Sequence, residues 1–166
     1  MDDINRRTLL AATAGFVTSL GLPLPAMAIA LPAGGVTDLS GLSPAFQTVA
    51  STLPRLISRA AASCRYRERA WGHLECLPKP VDYSPYRKRM VEAGEYAARH
   101  LAEANVAIMS LVEHGARTDA DRALLDAIAC LHRTDCAAAS AAAFRLSLAD
   151  AQTYAKYTVT GALFEA

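Results

Sequence analysis

Between Ser84-Pro85 and Gly115, small and apolar residues recur at alternating steps of four and three. They are Met90, Gly94, Ala97, Leu101, Ala104, Ile108 and Leu111. This period belongs to a helix that buries one narrow seam against another helix. Ser84-Pro85 is a start signal, with Ser as N-cap and Pro in the first turn. Gly115 is a stop after His114. Gly94, Ala97 and Ala104 let a neighbouring helix come close. Glu95, Arg99 and Glu103, spaced by four on the outer face, can pair along the helix.

The rest of the chain supplies the neighbours. It holds 35 alanines, and aromatic residues make up only 7%, so helix is favoured over sheet. Ser43-Pro44 predicts a first helix from about Pro44 to Arg69, kinked or split at Pro54, which lacks an amide donor. Residues 72–83, with Pro78 and Pro80, form a connector. Thr118 with Asp121 reads as a capping box opening a third helix from Asp119 to about Arg145, with a weak point at Thr134-Asp135. Ser147 with Asp150 repeats the pattern and opens a last helix to about Leu163. The expected fold is all-α: a small up-down bundle of three long helices and one shorter helix. A chain of 166 residues, 52% hydrophobic and 20% charged, is sized for one domain and is not disordered in composition. That domain is expected over residues 43–166, after a flexible lead over 29–42.

The first 28 residues read as an address. A short polar segment reaches Arg6-Arg7, a mildly apolar stretch runs from Thr8 to about Leu24, and Ala26-Met27-Ala28 fits a cleavage site. A second cut fits after Ala30. The stretch is shorter than the roughly 20 apolar residues that a membrane span needs, so no span is expected after cleavage. No Cys follows the cut, which argues against a lipoprotein. The run Asn5-Arg6-Arg7-Thr8-Leu9-Leu10 resembles a twin-arginine signal peptide. It departs from that pattern at Asn5, where Ser or Thr is usual, and at Ala11, where Lys is common. The resemblance implies export to the periplasm of an already folded chain; many cargoes of that route carry a cofactor or ride out bound to a partner that does, which raises a cofactor or accessory-subunit hypothesis.

Cys64, Cys76, Cys130 and Cys136 give an even count, which in an exported protein favours disulfides. On one continuous helix Cys130 and Cys136 stand about 9 Å apart along the axis, beyond the roughly 7 Å Cα spacing of a disulfide. Matching heights in an up-down bundle then pairs Cys64 with Cys130 and Cys76 with Cys136. The local pairs Cys64–Cys76 and Cys130–Cys136 stay open, the second only if the helix breaks at Thr134-Asp135. The alternative is a zinc or copper site using Cys64, His73, Cys76, Cys130, His132 and Cys136. No finger spacing, no haem-attachment motif and no paired Glu-x-x-His set is present to support a named cofactor.

Charge is uneven. Residues 31–89 hold nine Lys/Arg against four Asp/Glu, and residues 90–166 hold six against ten. The basic part interleaves with aromatics: Arg65, Tyr66, Arg67, Arg69 and Trp71, then Lys79, then Arg87, Lys88 and Arg89. If the connector folds back, these meet at one end of the bundle. Arginine beside Tyr and Trp suits an anionic aromatic ligand, a phosphate surface or an acidic exported protein. A net charge of +1 disfavours nucleic acid. No serine-nucleophile, phosphate-loop or paired-carboxylate motif recommends an enzyme. The expected function is a non-catalytic binding module or accessory subunit acting through Arg65, Tyr66, Arg67, Arg69, Trp71, Arg87 and Arg89. The small-residue seam leaves a homodimer open.

Overall fold

The computed structural model describes residues 39–79 and 82–160. The expected signal peptide, the lead as far as residue 38 and the expected helix end at Leu163 lie outside these residues. Every regular element described is helical. After a 3-10 turn at Leu39–Gly41 come α1 (Pro44–Glu75), α2 (Arg87–His114), α3 (Asp119–Leu131), a 3-10 turn at Thr134–Cys136, α4 (Ala137–Phe144) and α5 (Leu148–Thr160). Among the described residues no helix is long and apolar enough to cross a membrane.

Four expectations need correction. First, α1 neither splits at Pro54 nor stops at Arg69; it runs unbroken to Glu75. Leu53 and Ile57, on either side of the proline, are fully buried, and their packing keeps the helix continuous through it. Second, the single long third helix is two helices, which makes five in place of three long and one short. Arg133 is extended (φ −125°, ψ 124°), and its guanidinium grips Asp135 at 3.1 and 2.6 Å. The short polar pair Thr134-Asp135 competes for the backbone and turns the chain there. Third, α2 begins at Arg87, because Ser84-Pro85-Tyr86 form the turn that leads in; the Ser84 amide donates to Asp82 at 2.9 Å. Fourth, the buried seam of α2 is Ala93, Ala97, Leu101, Ala104, Ile108 and Leu111. Met90 and Gly94 are left half-buried, since a straight helix drifts by about 20° per heptad from a strict seven-residue repeat.

α1 packs most extensively against α2 and next against α5. The first pair is antiparallel: Ser63 meets His100 at 2.6 Å and Arg59 meets Glu103 at 3.7 Å. α5 runs alongside α1 in the same direction, with Asp150 against Ser58 and Arg65, and Lys156 against Glu68. α3 and α4 complete the core, in which Phe46, Leu53, Ile57, Leu111, Leu124, Leu131 and Tyr154 are the largest fully buried apolar side chains.

The end of this core nearest Ser43 is tied by one carboxylate. The expected capping box forms, with Thr118 Oγ1 accepting from the Asp121 amide at 3.0 Å. Asp121 does more than cap. Its Oδ1 accepts from the Ser43 amide at 2.9 Å, and its Oδ2 accepts from the Arg117 and Thr118 amides at 3.0 and 3.1 Å. One fully buried carboxylate therefore joins the start of α1 to the start of α3. Gly115 stops α2 at φ +70° and ψ 144°, a conformation open to glycine and costly for residues with a Cβ.

Candidate binding end of the α1–α2 hairpin

The last turns of α1 and the first turn of α2 meet at the far end of the hairpin from Asp121. The antiparallel register brings Arg89 over the ring of Tyr66, 5.9 Å from its centroid. Below the connector, His73 packs edge-on to Tyr86 at 6.2 Å. Tyr66 and Trp71 are each 37% exposed, and Tyr83 is 52% exposed. These are large apolar surfaces for a helix end, and cationic side chains surround them.

The seven residues singled out in the sequence divide. Arg65 is occupied elsewhere: it holds Asp150 at 2.6 Å and reaches the Ala149 carbonyl and Thr153 on α5. It belongs to the α1–α5 contact. Arg67 faces the Tyr157 hydroxyl, whose pKa burial and the hydrogen bond it donates to Glu68 push up to about 12. Glu68 itself is neutralised by Lys156 at 2.5 Å. Arg69 and Arg87 take no ion pair among the described residues. Tyr66, Arg69, Trp71, Arg87 and Arg89 therefore remain as the accessible set. On a helix turning about 100° per residue, Tyr66 and Trp71 stand about 140° apart and Arg69 lies on a side of α1 nearly opposite Trp71. These side chains encircle the hairpin end and do not line one face.

The cysteines do not bear out the staple expectation. All four are free thiols. Cys64 is buried in α1 beside Tyr154, and burial pushes its thiol up to about 12. Cys76 is exposed at the end of α1, so height matching with Cys136 fails once the third helix is broken. That break places Cys136 next to Cys130; burial, reinforced by this neighbour, raises the Cys130 thiol to about 11. Thiols raised this far are poor nucleophiles at neutral pH. The six-residue Cys/His set is likewise dispersed. His73 and Cys76 sit at the hairpin end. His132 lies against Tyr154 at 5.9 Å, where burial lowers its pKa. Among the described residues no three His, Cys, Asp or Glu side chains group as a metal site.

Two features escaped the sequence reading. Ser63 and His100 form a short cross-helix hydrogen bond, and no local spacing relates residues on different helices. Tyr83 gave no periodic signal because it stands in the connector. A surface depression of about 220 Å³ lies at the opposite end, lined by Ser43, Pro44, Ala45, His114, Gly115 and Arg117. A smaller one of about 110 Å³ lies on the outer face of α2, between Glu92, Glu95, Tyr96 and Arg99. No protein-family model, curated protein or solved structure matches the chain.

Proposed function

We propose that this chain is an exported, non-catalytic binding module, a small helical bundle carried to the periplasm by a twin-arginine signal over residues 1–28. Its working surface is the encircled hairpin end. The observation that carries this reading is the stacking of Arg89 on exposed Tyr66, on a hairpin end that also exposes Trp71 and where Arg69 and Arg87 take no ion pair among the described residues. Unpaired guanidinium groups next to aromatic rings recognise anionic partners, because they offer forked donors and a weakly hydrated cation together. Their charge also speeds the encounter with a negative partner.

Poly-L-glutamate is a suitable generic probe. Trp71 is the chain's one tryptophan, so its emission reports on this end alone. The expected result is a salt-sensitive emission change on titration, abolished in a variant carrying Arg69→Glu, Arg87→Glu and Arg89→Glu. No change in the parent protein, or an equal change in the variant, overturns the reading.

A further inference from the structure

We infer that a second copy of this chain docks on the outer side of α2, helix against antiparallel helix, with Val106 of each copy seated among Glu92, Glu95, Tyr96 and Arg99 of the other. This goes beyond the binding reading above and does not rest on it.

α2 has two different sides. Its small-residue seam is spent within the chain: Ala93, Ala97, Leu101, Ala104, Ile108 and Leu111 are buried, and α1 is the helix that packs most extensively against it. A second copy must therefore use the other side. At about 100° per residue, Glu92, Glu95, Tyr96 and Arg99 centre about 150° round from the buried seam. They line the depression of about 110 Å³. Their spacing is i, i+3, i+4 and i+7, which makes the four-residue hole that receives one side chain of a facing helix. Val106, 64% exposed, stands about 30° round from the centre of that hole on the same outer side. An exposed knob and an open hole on one helix fit a copy of that helix.

Charge sets the direction of the pairing. α2 carries four Lys/Arg and four Glu. Three of the cations, Arg87, Lys88 and Arg89, open the helix, and the acids run from Glu92 to Glu113. Parallel copies would bring like charges and like dipole ends together, whereas antiparallel copies bring opposites together. The cation at mid-helix is also available. The pairing of Arg99 with Glu95 or Glu103 along the helix does not form; Arg99 lies over the Tyr96 ring at 5.7 Å. Neither Arg99 nor Glu113 takes an ion pair among the described residues.

Helix length then sets the register. α2 spans Arg87–His114, so two antiparallel copies that overlap along their whole length cross between residues 100 and 101. In that register Val106 falls opposite the partner's Glu95, in the middle of the hole. Glu113 falls opposite the partner's Lys88, and Arg99 falls one place from the partner's Glu103. Knob, charge pairs and full overlap agree on one alignment. Sliding one copy by a turn sets Glu113 against the partner's Glu92. One helix from each copy makes an interface at the small end of the specific range, so the dimer is reversible. Its two hairpin ends point to opposite poles.

The test is sedimentation equilibrium of the chain from residue 29 onward, between about 5 and 500 μM. The expected result is an average mass that climbs from one chain toward two. Val106→Glu, which puts a third carboxylate among Glu92 and Glu95, should weaken the dimer at least about tenfold. Arg99→Glu should weaken it too, and adding Glu103→Arg should restore it, because the two charges have then changed places across the interface. Circular dichroism checks that each variant keeps its helix content, and Val106→Ser replaces Val106→Glu should the latter fold poorly. A monomer at every concentration overturns the inference. So does a Val106 variant that dimerises as the parent does, and so does a failure of Glu103→Arg to rescue Arg99→Glu.

Discussion

The two ends of the α1–α2 hairpin carry opposite kinds of polar group. At the Ser43 end, one carboxylate is sealed from solvent and accepts three backbone amides from two segments far apart in sequence. At the connector end, arginines stand in water with aromatic rings beside them and little to hold. Burying an ionised group is costly unless it is fully hydrogen-bonded, and Asp121 is. Leaving guanidinium groups exposed costs almost nothing in folding, and it leaves them available. The difference teaches which polar residues this fold depends on and which it only displays.

The sharpest way to break the comparison is Asp121→Ala. It takes the acceptor from the amides of Ser43, Arg117 and Thr118, whose hydrogen bonds are part-buried, and removes half of the α3 capping box. We expect a fall in Tm on the order of 10 °C, read by thermal circular dichroism. A fall of only about 2 °C, the scale of an ordinary surface substitution, would show that the two ends are alike. Acid sharpens the same point. Burial alone raises the Asp121 carboxyl, but the amides of Ser43, Arg117 and Thr118 outweigh it and hold the group below the usual carboxylate range. A folded-state pKa depressed in this way gives stability that is full above the unfolded value, about 3.9, and is lost as pH falls through the folded value. The gap in stability between parent and Asp121→Ala, wide at neutral pH, should close below about pH 4. A gap that stays constant into acid would place the parent's stabilisation elsewhere.

The same residue shows how far the sequence was readable. Thr118 and Asp121 stood at capping-box spacing, and the box formed. That Asp121 also holds Ser43, 78 positions away, is tertiary information that no local spacing carries. Gly115 was legible because a helix stop needs a residue at ease with positive φ. Pro54 misled because propensity counts the lost amide and omits the burial of Leu53 and Ile57 around it. The break at Arg133 was visible as Thr134-Asp135, yet its consequence was not: it undid the height argument for the cysteines. At the hairpin end the cluster of Arg, Tyr and Trp was legible as composition. Its division into Arg65, held by Asp150, and Arg69 and Arg87, which take no ion pair among the described residues, was not, because Asp150 arrives on a helix 85 residues later.

A smaller effect of opposite sign is expected in α4. Among the described residues the buried Ser140 hydroxyl has no hydrogen-bond partner. Ser140→Ala removes the unsatisfied group and leaves the shape almost unchanged. Stability should rise by up to about 1 kcal/mol in urea denaturation, with the slope unaltered. A loss of stability would mean that the hydroxyl has a partner in solution.

The smallest effect belongs to the hairpin end, and it completes the contrast with Asp121. Trp71→Phe and Arg87→Gln each remove a feature of the exposed set without stranding a buried donor or acceptor. Arg87 opens α2, where a positive charge sits at the positive end of the helix dipole, so its loss is neutral or slightly favourable to that helix. Trp71→Phe keeps an aromatic ring against the same neighbours and surrenders only exposed surface. Urea midpoints should therefore stay within about 0.5 kcal/mol of the parent for both. A loss several times larger in either variant would make the end a structural brace. Arginine and tryptophan would then be there for the fold, as Asp121 is, and the functional reading of the hairpin end would lose its footing.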